Sequence, residues 1–171
     1  RLPVLADIPV SKRLTKGKDE CAVVVRENYN DVMEEAFRGL RTNIGFVVKP
    51  GEKVVMITSC IPGEGKTFVA ANLAMSLSLL GKRVVVVGLD IRKPQLLALL
   101  GLKPTKSGIV NFLCGAEADY ELLDKQIIPS AIHRNMDLLP AGIIPPNPAE
   151  LLSGSLLRDA IEYLSTKYDY V

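Results

Sequence analysis

Tryptophan is absent from the 171 residues, aromatic residues make up only 5%, and there is a single histidine. That poverty removes the platforms on which single-stranded nucleic acid stacks. A formal charge of +2, with basic and acidic residues interspersed, gives no bulk basic field either, so no nucleic-acid partner is expected. Cysteine is scarce: Cys21, Cys60 and Cys114 form no C-x-x-C pair, a usage that fits free thiols in a cytosolic chain rather than a disulfide or zinc framework. No apolar run approaches about 18 residues and no signal-peptide pattern opens the chain, so these residues are expected neither to span a membrane nor to be exported. No repeat or low-complexity tract is present. What remains is globular: 48% hydrophobic and 23% charged residues can bury one core, and the length favours one domain over residues 1–171.

The chemistry gathers in Val54-Val55-Met56-Ile57-Thr58-Ser59-Cys60-Ile61-Pro62-Gly63-Glu64-Gly65-Lys66-Thr67. Residues 54 to 57 are consecutive and apolar, as in a strand covered on both faces of a parallel sheet, and Phe68 to Leu80 carries apolar residues at helical spacing. Between them lies a phosphate-binding loop. Gly63 and Gly65 let the backbone close around phosphate oxygens so that N–H groups and the positive helix end face an anion. In the P-loop pattern, Lys66 reaches the β- and γ-phosphates and the Thr67 hydroxyl ligates Mg²⁺. The strict pattern asks for Gly at position 60, where this chain has Cys60. Nucleotide binding through Pro62 to Phe68 is the first expectation.

The rest reads as alternating strands and helices. Residues 2 to 10 are compatible with a short edge strand and Ala22 to Val25 with another; the Lys-rich stretch Ser11 to Glu20 reads as a solvated loop, with attraction to anionic lipid as the alternative. Asn30 or Asp31 caps a helix through Val47 that turns Met33, Ala36, Phe37, Leu40, Ile44 and Val47 inward. Glu35, Arg38 and Arg41 then gather on the opposite side, as a solvated face or an interface. Val84 to Val87 is a second buried strand, and Asp90, just past its carboxyl end, is placed either as a turn residue or to hold Mg²⁺. Short helices are expected at Gln95 to Leu100 and Ile109 to Leu113. Tyr120 to Ile128 reads equally as helix or loop, and His133 as a surface residue. Met136 to Gly142 reads as a third strand ending in a Gly-containing loop; Pro145 to Leu152 restricts its backbone before opening a helix with proline at its entrance, and a last helix runs from Ser155 to about Thr166 before a strand start at Tyr168 to Val171. Together these give an α/β fold, a doubly wound and mainly parallel sheet of the ParA/MinD-like P-loop NTPase type.

Four motifs in this order resemble the bacterial tyrosine kinases that control capsule and exopolysaccharide synthesis, in their cytoplasmic catalytic domain. Leu2 to Pro9 is similar to that family's opening segment, and Glu35-Ala36-Phe37-Arg38-Gly39-Leu40-Arg41 to its Glu-x-x-Arg-x-x-Arg helix. Thr58 to Thr67 is similar to its Walker A motif, Val84 to Pro94 to its Walker A′ motif, and Pro145 to Leu152 to its Pro-Pro-Asn-Pro loop. The resemblance implies ATP and Mg²⁺ as cofactors, Lys66 and Asp90 as catalytic residues, and Thr67 and Asp90 as metal ligands. It also implies autophosphorylation of a C-terminal tyrosine cluster on a neighbouring subunit in a ring, with Glu35, Arg38 and Arg41 at the subunit contact. A polysaccharide co-polymerase part in the membrane and periplasm, fused or separate, would place the domain at the cytoplasmic face of the inner membrane.

Two departures stand out. The family's Walker A′ motif reads Asp-x-Asp-x-Arg, whereas Gly88 stands at its first position here and leaves Asp90 alone. A Walker B aspartate is expected a few residues past Val171 and the tyrosine cluster further on, so residues 1–171, with 1–28 as opening segment and polar loop, are expected to lack the C-terminal part of the catalytic domain. A ParA/MinD-like ATPase switch is the alternative function, although the second lysine of that loop type is missing from Cys60 to Glu64. A nucleotide-binding regulator without catalysis is the other, and Gly88 is what speaks for it.

Overall fold

A computed structural model describes residues 3–10, 21–27 and 31–171. Along the chain come α1 (Val32–Val47), α2 (Lys66–Ser78), β1 (Val84–Val87), α3 (Leu96–Leu99), α4 (Ile109–Leu113), α5 (Tyr120–Gln126), β2 (Ile128–Pro129), β3 (Met136–Leu139), α6 (Pro148–Ser153) and α7 (Ser155–Lys167).

Four consecutive valines put β1 at the centre, because branching at Cβ suits the pleated strand and disfavours helix. It pairs in parallel with β3, Val84 opposite Met136 through Val87 opposite Leu139, and β2 closes the far side antiparallel. On its other side Val84 bridges in parallel to Tyr170. Val171 in turn donates to Lys53 O at 2.8 Å and accepts from Val55 N at 2.9 Å, the one-to-two pattern of a parallel pair. The sheet is mainly parallel, as expected.

Successive strand residues face opposite ways, and the sheet uses both faces. Val84, Val86, Met136 and Leu138 pack with Phe37 and Leu40 of α1, Ala71 to Leu77 of α2, and Leu96. Val85 and Leu139 pack on the other side with Ile109 and Phe112 of α4, Leu123 of α5, and Ala160 and Leu164 of α7. Each fully buried side chain of this size stabilises by about 1.5–3 kcal/mol, so helices on both faces hold one rigid sheet between them. This is the doubly wound α/β architecture.

Several expectations need correction. Residues 54–57 are extended but are not a strand covered on both faces: Val54 is 49% and Met56 80% exposed, while Val55 and Ile57 turn inward. Residues 22–25 form no strand. Their backbone is taken over by Asn72, fully buried on α2: its Oδ1 accepts from Val24 N at 2.8 Å and Val25 N at 3.2 Å, and its Nδ2 donates to Phe68 O at 2.9 Å and Ala22 O at 3.4 Å. Residues 3–10 have no regular structure either. The α1 cap is Asp31, whose Oδ1 accepts from Glu34 N at 2.9 Å; Asn30, Leu2 and the Lys-rich stretch 11–20 lie outside the described residues. At the far end of α1, Val47 is 57% exposed and Val48 packs in its place. The stretch 120–128 resolves into α5, capped by Asp119, followed by β2. His133 is a turn residue whose Nδ1 accepts from Asn135 N.

Candidate nucleotide site

Three loops leave the same edge of the sheet, because the parallel elements 53–57, β1 and β3 all point their carboxyl ends that way. The first is 58–65. Gly63 and Gly65 both have φ of +89°, a conformation that side-chain-bearing residues avoid, and Gly65 is the N-cap residue of α2. No carboxylate lies in the first turn of α2 and no side chain caps it. Among the described residues no internal hydrogen bond engages the N–H groups of Gly63, Gly65, Lys66 or Thr67. The positive end of a thirteen-residue helix and its leading amides can therefore receive an anion.

The second loop, 88–94, brings a carboxylate to that helix end. Ile91 is buried against Val110 and Ala141 and anchors the loop, with Asp90 half-buried beside Lys66. Lys66 Nζ lies 3.2 Å from Asp90 Oδ2, and Asp90 Oδ1 accepts from Lys93 N at 3.1 Å. Burial works against the Asp90 charge. The hydrogen bond from the Lys93 N–H, the hydrogen bond and charge of Lys66, and the Arg92 N–H outweigh it and hold the carboxyl below its ordinary range. A carboxylate and a hydroxyl are the kind of hard oxygen donors that suit Mg²⁺, and Thr67 follows Lys66 in the chain.

The third loop follows β3 and was only partly legible in the sequence. Pro140 O and Ala141 O accept from Ile109 N and Val110 N at 2.8 and 3.1 Å, so the loop carbonyls cap α4. The approach is close enough that a Cβ on Gly108 would strike Gly142 N, Ala141 C and Pro140 O. Gly108 N is shared between Asn111 Oδ1 and the buried Gln126 Oε1, each at 2.9 Å. Asn111 stands three residues after Gly108, a capping distance that could have revealed this joint; Gln126 left no sequence signal.

Of the sequence-derived site residues, the structure gathers Pro62 to Lys66, Thr67 and Asp90 at one edge. Phe68 belongs to the same turn by its backbone, but its ring turns away into the core and meets Phe37 edge-on with centroids 5.8 Å apart. Glu35, Arg38 and Arg41 are not one face. Arg38 pairs with Glu34 at 3.1 Å and Glu35 at 3.3 Å, whereas Arg41 turns to α2 and donates to Ser76 O at 2.8 Å and Ser76 Oγ at 3.2 Å. Burial, then the nearby Arg38 charge, lower the Arg41 pKa from its ordinary value, with Glu34 and Glu35 opposing. Glu34, absent from the expectation, is buried on this helix and leaves Oε2 without a hydrogen-bond partner.

A P-loop flanked by a lysine–aspartate pair at the carboxyl edge of a parallel sheet defines a nucleotide-binding P-loop NTPase domain. Residues 51–171 match the profile of the ParA family, described as NUBPL iron-transfer P-loop NTPase. The kinase domain of the Escherichia coli tyrosine kinase ETK superposes with a TM-score of 0.85 at 30% identity, over 99% of this chain and 67% of that one. The tyrosine-protein kinase YwqD of Bacillus subtilis is 35% identical over 87% of the chain and 61% of its own length, and the tyrosine-protein kinase wzc of Salmonella typhimurium 39% over 84% and 19%. Three further curated relatives are spanned to between 21% and 24% of their length. The chain belongs to the bacterial tyrosine-kinase family, in the ParA-like class of P-loop NTPases.

Proposed function

We propose that these residues form the ATP-binding, phosphoryl-transferring domain of a larger protein-tyrosine autokinase that regulates capsular or exopolysaccharide synthesis. The observation that carries the reading is the Lys66–Asp90 pair beside the uncapped α2 terminus. In it, the amides from Gly63 to Thr67 and the Lys66 ammonium hold the β- and γ-phosphates, while the Thr67 hydroxyl and Asp90 carboxylate ligate Mg²⁺. The metal supplies charge neutralisation of the transferred phosphoryl group. The protein side then consists of positioning: Ile91 fixes Asp90, and Phe68 and Phe37 fix the start of α2.

The domain would span 1–171, with 1–28 as opening segment. Longer flanking parts would supply the Walker B aspartate, the substrate tyrosines, and the membrane and periplasmic co-polymerase part. The domain would then work at the cytoplasmic face of the inner membrane within a ring of its own subunits. Among the described residues no helix is long and apolar enough to cross a membrane. Arg41 is engaged within the chain, so the subunit contact is assigned chiefly to the Glu35 and Arg38 surface.

The test is Lys66→Met in the full-length protein, followed by calorimetric titration with ATP and Mg²⁺, thermal melting, and mass spectrometry of its tyrosines. The expected result is loss of ATP binding or of phosphorylation with an unchanged melt. Wild-type affinity together with wild-type phosphorylation in the variant would overturn the reading. A second reading, a nucleotide-binding regulator without catalysis, draws on Gly88 and is favoured if the wild type binds ATP but no tyrosine gains phosphate.

A further inference from the structure

We propose that the Glu64 side chain is a positioning group that braces the phosphate loop from inside and does not itself contact nucleotide. Its Oε2 accepts from Cys60 N at 3.0 Å and from Ile61 N at 3.2 Å. Ser59 Oγ donates to Ile61 O at 3.1 Å and ties down the same arm from the other side. The loop is thus divided: the N–H groups of residues 60 and 61 are taken by a side chain, and those of 63 and 65–67 are left for an external anion.

The need for a brace follows from the neighbours of Glu64. Gly63 and Gly65 both sit at positive φ, and glycine pays the largest backbone entropy on being fixed in one conformation. A charged acceptor shared by two amides is among the stronger hydrogen bonds a surface loop can form. Position 60, where the strict pattern has Gly and this chain has Cys60, is one of the two residues held. The same carboxylate has an opposing effect, because its negative charge lies in a loop built to receive phosphate. Brace and charge therefore act with opposite sign on nucleotide affinity, and two substitutions separate them: Glu64→Gln keeps an acceptor oxygen and removes the charge, while Glu64→Ala removes both.

This inference rests on the nucleotide-binding reading, and the experiment has one arm that does not depend on it. Hydrogen–deuterium exchange of the full-length protein without nucleotide, read by mass spectrometry on peptides covering 59–65, should give similar protection at the Cys60 and Ile61 amides in wild type and Glu64→Gln. Exchange there should be about tenfold faster in Glu64→Ala, about 1.4 kcal/mol of lost protection. Calorimetry with ATP should then show Glu64→Gln binding as tightly as wild type or more tightly, and Glu64→Ala about tenfold more weakly. Glu64→Ala with wild-type exchange, Glu64→Gln exchanging as fast as Glu64→Ala, or one ATP affinity shared by all three would each overturn the brace. If the wild type binds no ATP, the functional reading fails and the exchange arm alone decides the brace. Glu64 is exposed, so all three proteins are expected to melt alike.

Discussion

Replacing Asn72 with alanine should destabilise the domain by about 3 kcal/mol, a loss that can be worked out from its four contacts. The side chain is fully buried on α2 and serves Val24 N, Val25 N, Ala22 O and Phe68 O. Alanine leaves the buried Val25 amide without a partner, at about 1–3 kcal/mol, and the partly buried Val24 amide at about 1 kcal/mol. Removing the amide group also leaves a small cavity, while the 3.4 Å contact to Ala22 O is weak and adds little. For a domain of this size, 3 kcal/mol corresponds to a fall in melting temperature of about 6–12 °C. Chemical denaturation of wild type and variant, compared at equal denaturant slope, gives the free energy directly. Amide exchange locates it: Val24 and Val25 should open in the variant under conditions where Val85 and Val86 stay protected. A loss below about 1 kcal/mol, or unchanged protection at Val25, would refute the reasoning, since the segment 22–25 would then be held by its apolar contacts alone.

Gly108→Ala should cost about 3 kcal/mol or more, because the added Cβ meets backbone that cannot rotate aside; a melt within a degree of wild type would contradict this. The Asp124–Lys167 ion pair, 2.7 Å long, should make stability depend on pH in a defined direction. Burial opposes the Asp124 charge, but bonds from Lys167 and Tyr163 hold its carboxyl low, so its contribution is full above about pH 4 and is lost as pH falls through the lowered value. Lys167 is raised chiefly by its bond to Asp124, so its contribution is lost only as pH climbs through a value above its ordinary one. The stability difference between wild type and Lys167→Met should accordingly be flat around neutrality and shrink on acidification; a difference that grows in acid would reverse the assignment. Gly88→Asp should fit, since a Cβ there meets Ala141 N and Leu96 Cδ2 at an ordinary 3.4 Å. In the full-length protein it should raise the initial rate of tyrosine phosphorylation by about 10²-fold if a missing base limits the reaction. A measurable wild-type rate that does not increase would show that the base lies elsewhere.

The sequence was most legible where one physical signal dominated. Val84 to Val87 admits only a strand, Ile109 to Leu113 stands where its pattern puts it, and the strand read within Met136 to Gly142 is there over Met136–Leu139. That Gly63 and Gly65 form a turn leading into a helix at Lys66 and Thr67 was readable from their spacing alone. Burial of 54–57 was not readable: a run of apolar residues records what a strand can tolerate on each face, and exposure of Val54 and Met56 is decided by what packs there. Arg41 was misplaced for a different reason. A helical wheel gives the direction of Cβ, while a guanidinium on three methylenes can bend back to a carbonyl on the next helix. Asn72 escaped notice because a polar residue on an apolar helix face carries no mark of which backbone it will satisfy, and that backbone is about fifty residues away.

The meeting of Gly108 with residues 140–142 sets a rule for recombining such domains. Two segments about thirty residues apart are fitted backbone to backbone, with Gly142 at φ +84° and its own Cβ direction blocked by Gly108 N. A chimera that draws α4 from one relative and the proline-rich loop from another has no side chain to trim at the seam, so any mismatch must be absorbed by moving β3 or α4 whole. Crossovers placed between residues 115 and 119 would split this joint across two parents, whereas crossovers before residue 105 would carry both halves together and leave the mate of each glycine in place.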